Sequence, residues 1–190
     1  MSSTPGASAL VVASALPGGD HRRHGLVTAS ADSISPRPPR QRRPRRPQPQ
    51  NVIASSPLRP FVLANERLAQ WKTPFSVQFQ QHTSSFLPPS ASFRIFQTIL
   101  NGLEPGTRKN YGAGLLRFHQ FCDLMGIHED MRMPAPEPII AAFVAHHAGQ
   151  VRHDTIAGWL AGLAAWHALY GAPWRGEKML AYTKKGAKKL

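Results

Sequence analysis

Residues 107–126 read TRKNYGAGLLRFHQFCDLMG, and residues 154–171 read DTIAGWLAGLAAWHALYG. In each stretch apolar side chains recur every three or four positions, a spacing that places them on one face of an α-helix. Thr107 and Asp154 are favourable N-cap residues, and a glycine just beyond the last apolar residue ends each stretch. The two stretches therefore predict two amphipathic helices. The second should be central, because apolar residues cover more than half of its circumference.

Three other segments show helical spacing. They predict helices over residues 93–103, from Pro136 or Pro138 to Gly149, and from Glu177 towards Leu190, whose Lys-rich last turns suit the helix dipole. No segment shows the sustained alternation of a β-strand. The predicted fold class is all-α, a four- to five-helix bundle over residues 91–190, which is long enough for its own core.

Residues 1–90 have a different composition. They hold 13 of the 18 prolines, with 11 basic and three acidic residues, against 12 basic and seven acidic residues in 91–190. A Ser-, Pro- and Arg-rich segment without apolar periodicity buries too little apolar surface to offset the entropy lost on folding. We therefore predict a long disordered basic tail over residues 1–90. A short helix over residues 62–71 could dock on the domain or have no role.

An arginine-rich run lies inside this predicted tail. Residues 36–49 read PRPPRQRRPRRPQP and include six arginines. Basic clusters of this kind are typical of nuclear import signals, so we predict a nuclear location. Contact with nucleic-acid phosphates is compatible with that role. A solvated linker and an organellar transit peptide are the alternatives, although the prolines argue against the amphipathic helix that a transit peptide needs.

The overall charge and composition narrow the classes of partner. The net charge is +13, with a single cysteine, so an internal disulfide is excluded. No apolar run approaches the ~18 to 20 residues needed to span a bilayer. A strongly basic chain favours polyanionic partners, nucleic acid before an anionic membrane surface. We predict no cofactor, no membrane partner and no small-molecule substrate.

The order and spacing of the helices over residues 100–190 carry a family resemblance. This region resembles the N-terminal core-binding (SAM-like) domain of tyrosine recombinases, the phage-integrase superfamily, and in particular the recombinases of fungal mobile elements. The matching positions lie on three predicted helices: Thr107, Tyr111, Leu115, Phe118 and Phe121 on the first, Phe143 on the second, and Thr155, Ile156, Leu160, Leu163 and His167 on the third.

The resemblance implies a small helical bundle that clamps one face of duplex DNA, alongside other recombinase subunits. In the family, the catalytic Tyr, two Arg and usually a His and a Lys belong to a separate C-terminal domain. The 190 residues contain no His-x-x-Arg sequence, since HEDMR at 128–132 has one residue too many. All three tyrosines fall within predicted helices, two of them on core faces. We therefore expect DNA binding linked to recombination or integration, and no enzymatic activity from these residues.

Candidate DNA-binding residues lie at helix ends, where free N–H groups and the helix dipole favour phosphate, and among the C-terminal lysines. They are Thr107, Arg108, Lys109, Arg117, Arg152, His153, Thr155, Lys184, Lys185, Lys188 and Lys189. The arginines and lysines of residues 108–117 could instead form only a solvated helix face. We predict no metal site and expect Cys122 to pack in the core. Of His146 and His147, we expect one to be buried and the other exposed. A helical protein-interaction module, or an inactive remnant of a recombinase, is the alternative function.

Overall fold

The computed structural model describes residues 51–190, and the regular structure in that range is helical. The seven α-helices are α1 (Arg67–Gln70), α2 (Pro74–Ser84), α3 (Pro89–Asn101), α4 (Pro105–Leu124), α5 (Glu137–His147), α6 (His153–Leu169) and α7 (Lys178–Ala187). A 3-10 helix covers Glu129–Met131. No strand occurs within 51–190, which confirms the all-α class for these residues. None of the described helices is long and apolar enough to cross a membrane.

Helices α4 and α6 cross at the centre and share the most extensive helix contact. A Cβ atom placed on Gly114 would lie 2.6 Å from the carbonyl oxygen of Trp159, and one placed on Gly162 would lie 2.6 Å from that of Tyr111. The later residue of α4 thus meets the earlier residue of α6, so the two helices are antiparallel. Only glycine permits backbones to approach this closely.

The core surrounds this crossing. Fully buried side chains come from three helices: Leu115 and Phe118 from α4, Phe143 from α5, and Leu163 and Trp166 from α6. Phe118 and Phe143 pack edge to face with their ring centroids 5.6 Å apart, an arrangement that aromatic quadrupoles favour. The expectation that residues 154–171 form a central helix is confirmed, and α4 is its equal partner.

The predicted helix ends are confirmed at their C-termini. Gly126 and Gly171 adopt positive φ angles of 64° and 59°. After α4, the N–H of Gly126 bonds to Asp123 O and that of Ile127 to Cys122 O, and the same pattern follows α6 at Gly171. These hydrogen bonds satisfy the last carbonyls of each helix in a Schellman motif.

The predicted N-cap positions are wrong by three residues at one helix and by two residues at the other. Helix α4 begins at Pro105, so Thr107 is its third residue and not its N-cap. Proline suits the first helical position, where its fixed φ angle is helical and an N–H would have no partner. Helix α6 begins at His153, with Arg152 at the N-cap position and Asp154 second in the helix.

The tail boundary at residue 90 is also wrong. Residues 51–90 include α1, α2 and the start of α3, and they belong to the same compact unit as residues 91–190. Leu68 and Trp71 are buried in the core at 1% and 4% exposure. Thr73 and Ser76 form a reciprocal capping box at the start of α2. The short helix expected over 62–71 does dock on the domain, as α1. The tail prediction for residues 1–50 lies outside the described residues.

A cluster of ion pairs holds the start of the described chain against α4. Arg59 Nη1 lies 2.6 Å from Glu129 Oε1, and Arg132 Nη1 lies 2.7 Å from Asp123 Oδ1. Both arginines are buried, and Ala54 N–H donates to Asp123 Oδ2 at 3.3 Å. Sequence spacing gives no indication of this cluster, because Arg59 and Glu129 are 70 positions apart.

Helices α5 and α7 pack side by side and run parallel. At their N-termini, Leu180 N–H donates to Glu137 Oε1 at 3.1 Å. At the other end, a Cβ on Gly149, just after α5, would lie 3.7 Å from Leu190 Cβ, just after α7. Leu190 itself lies beyond the end of α7 and is 85% exposed. The C-termini of both helices therefore meet the loop that leads into α6.

Candidate nucleic-acid interface

Six of the candidate residues lie on the two segments that a contact between Leu190 and Gly149 joins. Gly149 is three residues before the N-cap position of α6, and Leu190 is three residues past the end of α7. The end of α7 therefore leads towards the loop that precedes α6. We call the following set the basic end: Arg152, His153, Lys184, Lys185, Lys188 and Lys189. Arg152 and three of the lysines are exposed, while Lys184 and His153 are half-buried.

An open groove of about 380 Å³ lies beside the basic end, where α4 and α6 diverge from their crossing. We call it the α4–α6 groove. Helix α4 contributes Asn110 and Ala113; the start of α6 contributes Arg152, Asp154, Thr155, Gly158 and Trp159. Two of the predicted residues, Arg152 and Thr155, thus face a surface that also carries an amide, a carboxylate and a half-buried indole.

Asp154 is the acidic member of this groove. Its carboxylate lies 4.0 Å from Arg152 Nη2 and 3.9 Å from His153 Nδ1. The Arg152 and Asp154 side chains are 88% and 86% exposed. Ion pairs as long and as solvated as these contribute little to stability, so both side chains can turn towards a ligand at small cost.

Thr107, Arg108 and Lys109 lie elsewhere. None of the three lines the α4–α6 groove, whose first residue from α4 is Asn110. Thr107 and Arg108 are half-buried and Lys109 is exposed. The candidate residues therefore form two groups, those at the start of α4, outside the groove, and those of the basic end.

Arg117 lies between these groups, in the middle of α4. Its guanidinium donates to Gln120 Oε1 at 2.8 Å and to Asn51 Oδ1 at 3.4 Å. Burial, followed by repulsion from Arg117, lowers the pKa of Arg67. Arg117 thus has structural partners within the chain, and its contact with phosphate stays a prediction.

His146 and His147 are the last two residues of α5 and lie next to the α4–α6 groove. Their rings lie 4.8 Å apart, and His147 also packs edge to face on Trp159 at 5.0 Å. Both residues are half-buried, so the expectation of one buried and one exposed histidine is wrong. Burial lowers the pKa of His147 to about 4, helped by neighbouring His146 and Arg117. His147 is therefore neutral near pH 7 and adds no charge to the interface.

Neither a metal site nor a reactive thiol is found in the described part of the chain. Within residues 51–190 no group of three or more His, Cys, Asp or Glu side chains is placed to hold a metal ion. Cys122 is buried, and desolvation raises the pKa of its thiol to about 12. A thiol with so high a pKa is inert as a nucleophile, which agrees with its expected packing role.

The three tyrosines differ in how far they are buried. Tyr170 is buried, Tyr111 is half-buried and Tyr182 is 76% exposed. Burial raises the pKa of the Tyr170 hydroxyl above its usual range, and that hydroxyl donates to Ala69 O at 3.4 Å.

The sequence did not predict three residues of the groove lining: Asn110, Asp154 and Trp159. Trp159 has core spacing, but the structure leaves it half-buried and part of the groove lining. Asn110 follows Arg108 and Lys109 directly in the sequence, and this adjacency is the one signal that points to it. No protein-family model, curated protein or solved structure matches this chain.

Proposed function

We propose that this protein binds duplex DNA, with the basic end and the α4–α6 groove as its contact surface. The observation that supports this most is the contact of Leu190, which follows the lysine-rich end of α7, with Gly149 in the loop that leads to Arg152 and His153. Cations that share one surface can neutralise adjacent phosphates, and the release of condensed counterions then drives binding. The total charge of +13 acts in the same direction over longer range.

The recombinase resemblance gives this binding a biological setting. We propose that the chain is a core-binding module from a mobile-element recombinase, that it acts in the nucleus, and that it works beside other recombinase subunits. We assign it no strand-transfer chemistry, because the 190 residues contain no His-x-x-Arg sequence. The helical fold and the absence of a spanning helix among the described elements are compatible with this role.

A titration of a fluorescent 25-base-pair duplex with the full chain tests the proposal. Arg152→Ala removes an exposed cation from the basic end. Arg94→Ala removes an exposed cation from α3, where Phe96 packs on Tyr170 at the opposite end of α6. The pair is matched in residue type and exposure. Thermal melts of both variants establish that they fold.

We expect duplex binding at 50 mM salt that weakens severalfold in Arg152→Ala and hardly changes in Arg94→Ala. Each phosphate that is no longer neutralised also flattens the slope of log affinity against log salt by about 0.9. Equal effects of the two substitutions would point to diffuse charge attraction and contradict this surface. An absence of binding at low salt would contradict DNA binding altogether.

One observation favours the alternative of a protein-interaction module. An apolar groove of about 570 Å³ runs between the end of α4 and the outer face of α5, with Phe121, Met125, Ile139, Ala142 and Ala145 among its lining. Grooves of this kind accept the apolar face of a partner helix. Under this alternative, Ala142→Glu would abolish binding to a partner protein, and Arg152→Ala would leave that binding unchanged.

A further inference from the structure

The α4–α6 groove has a mixed chemistry that a phosphate site would not need. Among its polar members are Asn110, Asp154 and Thr155, beside the cation Arg152. An 86%-exposed carboxylate in the groove repels phosphate. A surface that served only to hold the DNA backbone would be weakened by Asp154, and the lysines of α7 already supply cations for that purpose.

We infer that the α4–α6 groove reads base edges, and that the basic end holds the flanking phosphates. This inference rests on the proposed DNA binding and deepens it. In the major groove, a carboxylate accepts a hydrogen bond from the amino group of cytosine, and an Asn amide bonds to both N6 and N7 of adenine. Asp154 and Asn110 are the residues that discriminate bases in this assignment.

Base reading requires side chains that are held at a fixed spacing. The groove meets this requirement, because its two walls are locked where they cross. Gly114 lies against the backbone of Trp159 and Gly162 against that of Tyr111, with no side chain between them. Asn110 and Asp154 are thus carried by helices whose relative position is set by direct backbone contact.

The position of Asp154 also suits entry into a DNA groove. It is the second residue of α6 and is largely exposed. Residues in the first turn of a helix commonly contact base edges when that helix enters the major groove. Thr155 and Arg152 flank Asp154 on the same surface, so one helix end offers an acceptor, a hydroxyl and a cation within four residues.

Selection of preferred sites from a random duplex library tests the inference. The full chain is compared with Asn110→Ala, Asp154→Ala and the matched control Asp130→Ala. Asp130 is an exposed aspartate in the 3-10 helix that covers Glu129–Met131. We expect the unchanged chain to enrich a defined sequence, and each groove variant to lose preference at its own base position. The loss should be about 5- to 150-fold in discrimination.

Asp154→Ala gives a second readout. Removing an anion should raise its affinity for non-preferred duplexes while its discrimination falls, and Asp130→Ala should keep the original preference. The inference is overturned if the chain binds duplex without enriching any sequence, or if the enriched sequence is unchanged in both groove variants. In either case DNA binding itself still stands. No binding at 50 mM salt would overturn the proposed function and this inference together.

Discussion

Gly114 of α4 lies so close to Trp159 of α6 that a methyl group on Gly114 would meet the Trp159 carbonyl oxygen at 2.6 Å. The same relationship recurs one turn away, where Gly162 lies against Tyr111. These two contacts fix the crossing of the central helices, and from that crossing the walls of the α4–α6 groove diverge. The packing of two glycines thereby determines where the candidate DNA-contacting residues are presented.

Substituting these glycines should destabilise the fold. We expect Gly114→Ala or Gly162→Ala to lower the free energy of unfolding by about 1–3 kcal/mol, because the added methyl forces two backbones apart. Denaturant unfolding followed by circular dichroism measures the change.

Gly158→Ala is the matched control for that experiment. Gly158 is on the same helix as Gly162, but a Cβ atom placed there meets nothing within 4 Å. Alanine has the higher helix propensity, so this variant should gain up to about 1 kcal/mol. A loss in Gly158→Ala as large as that in Gly162→Ala would contradict the close-packed crossing.

The segment before residue 91 should contribute measurably to stability. Trp71 is buried at 4% exposure, and its indole N–H donates to Pro60 O at 3.0 Å. Trp71→Ala should therefore cost about 3–5 kcal/mol of unfolding free energy. Phe61→Ala, at a side chain that is 72% exposed in the same segment, should change it by less than about 0.5 kcal/mol. A negligible effect of Trp71→Ala would restore a domain boundary near residue 90.

The glycine and tryptophan cases show what the sequence can predict. It places Gly126 and Gly171 correctly at helix ends, because the chemistry that ends a helix is local. It leaves the docking of Trp71 as one alternative within a predicted tail, because the burial of Trp71 depends on partners far along the chain. The contact of Leu190 with Gly149, in the loop before Arg152, likewise arises from tertiary packing, which no local pattern contains.

Stability should fall in mild acid. Burial lowers the pKa of His119, His147 and His167 below the usual 6.5, and for His147 to about 4. Below pH 6.5 the unfolded chain therefore binds more protons than the folded chain, so stability is complete above about pH 7 and is lost as the pH falls towards 4. Each of these histidines lowers the free energy of unfolding by at most about 1.4 kcal/mol for every unit by which the pH falls. Thermal melts between pH 7.5 and 4.5 measure the loss.

Burial lowers the pKa of His167 and outweighs the hydrogen bond to Leu163, which raises it. Its Nδ1 lies 2.7 Å from Leu163 O and its Nε2 accepts from Ala135 N–H at 3.0 Å. A proton on Nε2 would break the second bond.

The contribution of His147 is tested by substitution. His147→Gln should reduce the loss of stability in acid, whereas His82→Gln, at an exposed position on α2, should leave the dependence of stability on pH unchanged. A melting temperature that does not change between pH 7.5 and 4.5 would contradict the buried neutral histidines.

The most direct test of DNA binding is the salt dependence of duplex affinity for the full chain and for a variant with Lys184, Lys185, Lys188 and Lys189 all changed to Gln. If about five phosphates are neutralised, the slope of log affinity against log salt should be roughly −4 to −5 for the full chain. The variant's slope should be flatter by about 0.9 for each phosphate that it no longer neutralises. Equal slopes for the two proteins, with both melting at the same temperature, would contradict the claim that the basic end holds DNA.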